Sequence, residues 1–169
     1  MISNHLENRK YTLLVDDILS NKEFERLSDI NHHGCNRFDH CVRVSYWSYQ
    51  LGKFFRLDYE KIARAALLHD FFFEDNQKLD RKEKAVTMVK HPEYALANAK
   101  KYYKLSDLEE NIILTHMFPV TPKLPKYIES WMVDIVDDIV AVYERTYVLR
   151  KQLSAATSFI MLFLINYLR

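Results

Sequence analysis

LLHD, residues 67–70, is the stretch of sequence that decides the fold. It ends a helix predicted to begin after Asp58, whose side chain suits an N-cap. On this helix Ala65, Ala66 and His69 share one face, and the small alanines allow a neighbouring helix to approach closely. The stretch therefore predicts a histidine and an aspartate placed between packed helices.

Four histidines and two aspartates follow one another along the chain, and the LLHD stretch supplies two of them. In chain order they are His40, His69, Asp70, His91, His116 and Asp137. Neutral imidazoles and carboxylates are the ligands that divalent first-row transition metals bind. Six such groups are enough for two metal ions that share a bridging carboxylate, so the pattern indicates a metal site.

The order H…HD…H…H…D resembles that of the HD-domain metal-dependent phosphohydrolases, over residues 37–144. The resemblance implies an all-α fold, a helical bundle of the HD type with the metal ligands on facing helices. It also implies an enzyme that hydrolyses a phosphate ester or phosphoanhydride, with a nucleotide as the expected substrate, by a metal-activated hydroxide. His69 and Asp70 are the expected catalytic residues.

The same resemblance assigns the metal ligands. The four residues expected to hold the first ion are His40, His69, Asp70 and Asp137. His91 and His116 are expected to add a second ion, with Asp70 bridging the two. The ligand types suit manganese, iron, cobalt and zinc equally, so the resemblance implies two divalent transition-metal ions without naming the element.

The final aspartate must be chosen from three neighbours, Asp134, Asp137 and Asp138. Asp137 aligns best with the family's last motif, and Ala141 lies one turn further on the same face, which leaves room for metals. Asp138 is the alternative ligand. A buried carboxylate among the remaining aspartates is expected to hold a ligand histidine in position.

Substrate phosphate needs cationic or hydrogen-bonding side chains near these ligands. Arg37 lies one turn before His40 and Arg43 three residues after it, so both are expected on that part of the helix surface. A surface ion pair is the alternative role for each arginine. His33, in the loop before this helix, is the third candidate for a substrate contact.

The composition agrees with one all-α domain over residues 1–169. Eleven Tyr and ten Phe predict a bulky core, while two Gly and four Pro argue against a β-rich fold and a glycine-rich phosphate loop. A formal net charge of +1 gives no sign of nucleic-acid binding. Two cysteines at no zinc-site spacing and a polar N-terminus without a signal peptide predict a cytoplasmic protein.

Helical spacing predicts how this domain is divided. A cover helix is expected over residues 11–30, and Pro92 is expected in the first turn of a helix that places His91 at its start. A long helix from Tyr127 to Arg150 is apolar almost all round, which predicts burial. The apolar tail, residues 152–169, is shorter than the roughly 20 residues of a membrane span, so it is expected to form a final helix that packs on the domain or pairs two copies as a homodimer. Contact with a membrane surface is the alternative role for this tail.

Two other functions fit the same residues. Relatives with this scaffold and a similar ligand set carry out di-iron oxygenase chemistry. A non-catalytic nucleotide-binding module that keeps the metal as structure is the second alternative, although such a module has no physical reason to keep six ligands. The leading hypothesis remains phosphohydrolysis of a small-molecule phosphate, and the sequence does not name the substrate.

Overall fold

The structure is a computed structural model that describes residues 8–32, 35–74 and 79–167, with the side chains of His32 and residues 148–167 outside the description. Its helices are α1 Arg9–Leu19, α2 Lys22–Glu25, α3 Arg37–Phe54, α4 Tyr59–Leu68, α5 Arg81–Tyr102, α6 Asp107–Thr115 and α7 Ile128–Tyr167. A 3₁₀ turn spans Arg26–Asp29, and the strands β1 Asn31–His32 and β2 Cys35–Asn36 pair antiparallel. The predicted all-α fold class is confirmed.

The N-terminal segment is not the single helix predicted over residues 11–30. α1 ends where the Ser20 hydroxyl donates to the Asp16 carbonyl at 2.7 Å, and Asn21 then caps α2 by accepting from the Glu23 N–H at 2.9 Å. Serine and asparagine form such local bonds readily, which ends one helix and begins the next. The buried side chains of α1 are Tyr11, Val15 and Ile18.

Helices α3 and α4 lie against each other at close range. A Cβ atom built on Gly52 would lie 2.9 Å from Ile62 Cδ1 and 3.1 Å from Tyr59 Cβ, so only glycine allows this approach. α4 begins at the predicted N-cap Asp58, and α3 begins at an N-cap formed by Asn36. This packing brings two of the ligand candidates together, one from each helix.

The expectation that Pro92 opens a helix is wrong. α5 begins at Arg81, after a capping box, and continues through Pro92 to Tyr102, so His91 lies in mid-helix. Proline has no N–H to donate to the carbonyl of Met88, four residues earlier. His91 Nδ1 donates to that carbonyl instead, at 3.0 Å. The proline therefore frees the oxygen that orients the histidine ring.

Helix α6 and the proline-containing loop after it are fixed by side chains from α6 and α7. α6 begins at a capping box formed by Ser106 and Glu109, and His116 follows its last residue. The Asn111 Oδ1 atom accepts from the Lys126 N–H at 2.9 Å, and Asp134 Oδ1 accepts from the Phe118 N–H at 3.1 Å. These bonds hold the loop against the end of the helix that carries His116.

Helix α7 differs from its prediction in two ways. Its backbone is continuous from Ile128 to Tyr167, so the separate final helix expected over residues 152–169 is part of α7, with residues 168–169 outside the description. It is also not buried all round. Val133, Val136 and Val140 are buried, whereas another face carries exposed Ile135 and Ile139. Over the described residues, none of the helices has the length and apolarity needed to cross a bilayer.

Candidate metal centre

Six predicted ligands come together in the structure at the meeting point of five helices. His40 lies in the first turn of α3, His69 and Asp70 directly follow α4, and His116 directly follows α6. His91 comes from α5 and Asp137 from α7. All six are buried, with exposed fractions of 9% or less. The site is thus assembled from residues almost 100 positions apart in the chain.

The first part of the site is built around the Asp137 carboxylate. Its Oδ1 atom lies 2.9 Å from His40 Nε2 and 3.5 Å from His69 Nε2. The ligand atoms of these three residues lie within 4.8 Å of one another, a spacing that could hold a metal ion.

The second part of the site is built around Asp70. The Asp70 Oδ1 atom lies 3.2 Å from His91 Nε2 and 3.6 Å from His116 Nε2. The Nε2 atoms of these two histidines lie 2.9 Å apart. His69, Asp70 and His116 also satisfy the spacing of a metal-binding group. His69 therefore stands between the two parts, and both carboxylates face histidine nitrogens.

Backbone carbonyls fix the protonation of three of these histidines. The Nδ1 atoms of His69, His91 and His116 lie 2.7, 3.0 and 2.8 Å from the carbonyl oxygens of Ala66, Met88 and Ile113, respectively. A carbonyl oxygen can only accept, so each Nδ1 carries its proton. In a neutral ring the Nε2 atom then carries a free lone pair, and the neutral ring is the form of histidine that binds metals.

A cation fits this arrangement on the structure's own geometry. With both Nδ1 atoms protonated, neutral His91 and His116 present two Nε2 lone pairs to each other at 2.9 Å, and two acceptors cannot hydrogen-bond. The buried Nε2 atom of His69 also makes no hydrogen bond within the described residues. A divalent ion would give the His69 Nε2 atom the partner it lacks and would separate the two facing Nε2 lone pairs of His91 and His116.

Charge distribution in the metal-free site favours ionised carboxylates. Burial opposes ionisation of Asp70 and Asp137, but the neighbouring histidines hold the pKa of each well below its usual range. Burial would lower the pKa of His40, yet Asp137 and Glu144 outweigh it and raise this pKa to about 10. Burial lowers the pKa of His116. The site therefore combines two anionic ligands with neutral and protonated imidazoles.

Glu144 is the functional residue that the sequence analysis missed. Its Oε2 atom lies 3.0 Å from His40 Nδ1, while its other oxygen pairs with Arg43. Glu144 lies seven residues after Asp137, two turns further along the same face of α7, and that spacing was the available signal. A carboxylate behind a ligand histidine orients the ring and raises its basicity.

The prediction that Asp134 or Asp138 supports a ligand histidine was wrong. Asp134 is buried, but it accepts from the Phe118 N–H of the loop, and burial raises its pKa to about 7. Asp138 is exposed on α7. Glu144 takes the expected supporting position, and Asp137, rather than Asp138, faces the histidines.

Arg37 cannot hold substrate phosphate where the structure places it, so that prediction was wrong. Its side chain is fully buried, and its guanidinium donates to the carbonyls of Phe72 and Glu74 at 2.6 and 3.0 Å. It also lies 3.6 Å over the Phe72 ring, and that ring packs on His91. Arg37 therefore fixes the segment that follows Asp70 and supports the site from behind.

Replacing Arg37 with Met should lower the free energy of unfolding by about 3 kcal/mol, because the buried carbonyl of Phe72 and the part-buried carbonyl of Glu74 lose their donors. Arg26 is the matched control, since its guanidinium also lies over a phenylalanine, Phe73, but at an exposed position. Arg26→Met should cost less than about 1 kcal/mol. Urea unfolding of both variants tests this, and equal losses would contradict the buried-clamp role.

The other two predicted substrate contacts have different outcomes. Arg43 forms an ion pair with Glu144, and its side chain is 15% exposed. The structure therefore shows Arg43 holding Glu144 beside His40 rather than making a phosphate contact. His33 lies outside the described residues, and its substrate contact stays a prediction.

Comparison with known proteins agrees with the fold and the site. The HD domain family model matches residues 37–142, which is more than half of the chain and includes all six ligand candidates. The chain belongs to the HD-domain family. No curated protein and no solved structure gives a match.

The raised pKa of His40 leads to a prediction about metal uptake. At pH 8 an ordinary histidine is neutral, but His40 with a pKa of about 10 is protonated in the metal-free protein, so metal binding through Nε2 should release about one proton. Glu144→Gln removes one of the two charges that raise this pKa, so it should release fewer protons and weaken metal affinity by about 10- to 100-fold.

Calorimetric titration in two buffers of different ionisation enthalpy measures this proton release. Glu60→Gln, at an exposed position on α4, is the matched control and should behave as the wild type. Metal binding at pH 8 without proton release, or equal metal affinity in the two variants, would contradict the role given to Glu144.

Proposed function

We propose that this protein is a divalent-metal-dependent phosphohydrolase that cleaves a phosphate ester or phosphoanhydride of a small molecule, with nucleotides as the favoured class. HD-domain proteins are commonly hydrolases of this kind, and the chain belongs to that family. The observation that supports the proposal most strongly is the group of Nε2 lone pairs converging on two buried carboxylates, Asp70 and Asp137. A purely structural bundle does not need such an arrangement.

The proposed ligands divide between two ions. His40, His69, Asp70 and Asp137 would hold the first ion, and His91, His116 and Asp70 would hold the second. Asp70 would serve as a ligand of both ions, because a carboxylate has two oxygens, whereas each histidine offers a single Nε2 atom here. Manganese, iron, cobalt and zinc all accept this set of nitrogen and oxygen ligands.

The residues around the ions have defined tasks in this proposal. When bound, divalent ions lower the pKa of water and neutralise charge on phosphoryl oxygens. Asp70 and Asp137 supply the negative charge that holds the ions, and the backbone carbonyls of Ala66, Met88 and Ile113 keep the histidine rings in their binding orientation. Glu144 does the same for the fourth ring.

A covalent mechanism through the thiol beside His40 in the chain does not suit this site. Cys41 follows His40 directly, but it is fully buried, and burial together with the charge of Asp70 raises the pKa of its thiol well above the usual range. Because the thiolate is the nucleophilic form, such a cysteine is inert. Attack by water is therefore the proposed reaction type.

A metal-reconstituted screen tests the function. The metal-free protein is loaded separately with Mn²⁺, Fe²⁺, Co²⁺ and Zn²⁺ and assayed with nucleoside mono-, di- and triphosphates, cyclic nucleotides and simple phosphate esters. Phosphate and nucleoside release are measured beside His69→Ala as the matched inactive chain. Turnover by the wild type alone supports the proposal, whereas bound metal without turnover on any substrate would contradict it.

The two-ion arrangement gives a separate prediction. His91→Ala and His116→Ala should each lose about one metal equivalent and most of the rate, while the ion held by Asp137 remains. The physical reason is that each of these histidines touches Asp70 but not Asp137. Elemental analysis of the purified variants measures the metal content. Wild-type content in both variants would reduce the site to a single ion.

A further inference from the structure

One face of α7 carries exposed apolar residues that the fold and the site do not explain. We call it the outer face, and it consists of Ile128, Trp131, Ile135, Ile139 and Val142, with exposed fractions of 65%, 37%, 54%, 62% and 58%. Scattered exposed apolar residues are ordinary, but five on one helical stripe mark an interaction surface.

Rotation of α7 cannot bury these residues. The opposite side of the helix carries Asp137 and Glu144, both in contact with His40, and buried Val136 and Val140 in the core. Turning the helix to cover Ile139 would pull Asp137 away from the histidines. Among the described residues, this chain's own bundle therefore leaves the outer face exposed.

The same apolar spacing continues along the rest of the helix. α7 runs 23 residues beyond Glu144 to Tyr167, which is about 35 Å at 1.5 Å per residue. After 139, 142 and 146, alternate steps of three and four residues reach Leu149, Leu153, Ala156, Ile160, Phe163 and Tyr167. Every one of these later positions is apolar or aromatic. Steps of this kind place residues along a single side of a helix, as in coiled coils.

We propose that α7 pairs antiparallel with α7 of a second copy of this chain. Most of the stripe maps onto itself when its positions are reversed about the point midway between residues 147 and 148. Trp131 and Phe163 are the exceptions, because they face Leu164 and Met132, each one position from the stripe. The facing positions are then 128 with 167, 135 with 160, 139 with 156, 142 with 153, and 146 with 149. Except for Thr146, all are apolar or aromatic, so one self-complementary surface covers both copies, as a twofold interface requires.

This pairing satisfies two needs at once. In the pair, the outer face of each copy contacts the apolar C-terminal part of α7 from the other copy. The outer face is itself held in place, because the part of α7 that carries it packs on the core of its own bundle. Burial of apolar surface is the driving force. The inference concerns assembly alone, so it stands or falls independently of the proposed enzymatic function.

Sedimentation equilibrium of the full chain gives the first test. The wild type should have twice the 20.3 kDa mass of the chain, and the double variant Ile135→Glu with Ile139→Glu should have the single mass. Leu13→Glu, at an exposed position on α1, is the control and should remain dimeric. Circular dichroism of the double variant should show that its helix content is kept. A monomeric wild type, or one that instead floats with anionic lipid vesicles, would overturn the proposal.

Disulfide trapping gives the orientation. Val142→Cys and Leu153→Cys are made as separate chains, and each should fail to cross-link with itself under mild oxidation. The mixture of the two chains should form a disulfide between positions 142 and 153, identified by mass spectrometry, beyond the background that the wild-type Cys35 gives. Self-cross-linking of either single variant would mean a parallel pair and would overturn the antiparallel register.

Discussion

Asp70→Asn should remove nearly all bound metal and lower kcat/KM on the best substrate by at least about 10³-fold. The substitution keeps the volume of the side chain and removes the charge that faces His91 and His116. Because Asp70 is the proposed bridge, both ions lose a ligand at once. Elemental analysis and steady-state kinetics measure the two effects.

The control for this variant is Asp16→Asn, an isosteric change at an exposed position of α1. It should keep wild-type metal content and rate. Circular dichroism of Asp70→Asn should show the native helix content, since metal loss rather than unfolding is the expected cause. Full metal content with normal turnover in Asp70→Asn would rule out Asp70 as the bridge.

Asp137→Asn and its neighbour Asp138→Asn form the second large contrast. Asp137 Oδ1 contacts two histidines, so its loss should remove the first ion and reduce kcat/KM by about 10³-fold or more. Asp138 is exposed and should tolerate the same change with less than about a twofold effect. Metal titration of both variants checks this. The reverse result would assign the ligand role to Asp138 instead of Asp137.

Much of this site could be predicted from the sequence because most of its ligands lie near helix ends, and helix starts carry recognisable N-cap residues. Asn36, Asp58 and Ser106 each announce a helix start, and those starts place His40, His69 and His116 near the ends of packed helices. The order of the ligand residues along the chain carried the resemblance that implied the remaining ligands, and the family match agrees with that resemblance.

The errors came from residues whose role depends on tertiary contacts. A proline usually marks a helix start, but Pro92 lies inside α5 because His91 satisfies the carbonyl that the proline leaves without a donor. Arg37 precedes a ligand by one turn, a spacing that fits a phosphate-binding arginine, yet it is buried in the core, where it donates to two carbonyls that follow Asp70.

Helix α7 shows why apolar content alone did not predict burial. Its apolar residues occupy both the core side and the outer face, so the sequence lacks the polar stripe that normally separates them. Only the contacts of Asp137 and Glu144 with His40 reveal which side is inside. Those contacts join residues about 100 positions apart, and helical spacing carries no information about them.

Anomalous diffraction from crystals grown with Mn²⁺ tests the central claim most directly. The account predicts two anomalous peaks inside the bundle, one touching His40 and Asp137 and one touching His91 and His116. Each peak should have ligand atoms at about 2.0–2.2 Å, with Asp70 reaching both ions. The absence of a peak among these residues, or a metal bound elsewhere with the six side chains hydrogen-bonded only to one another, would contradict the account.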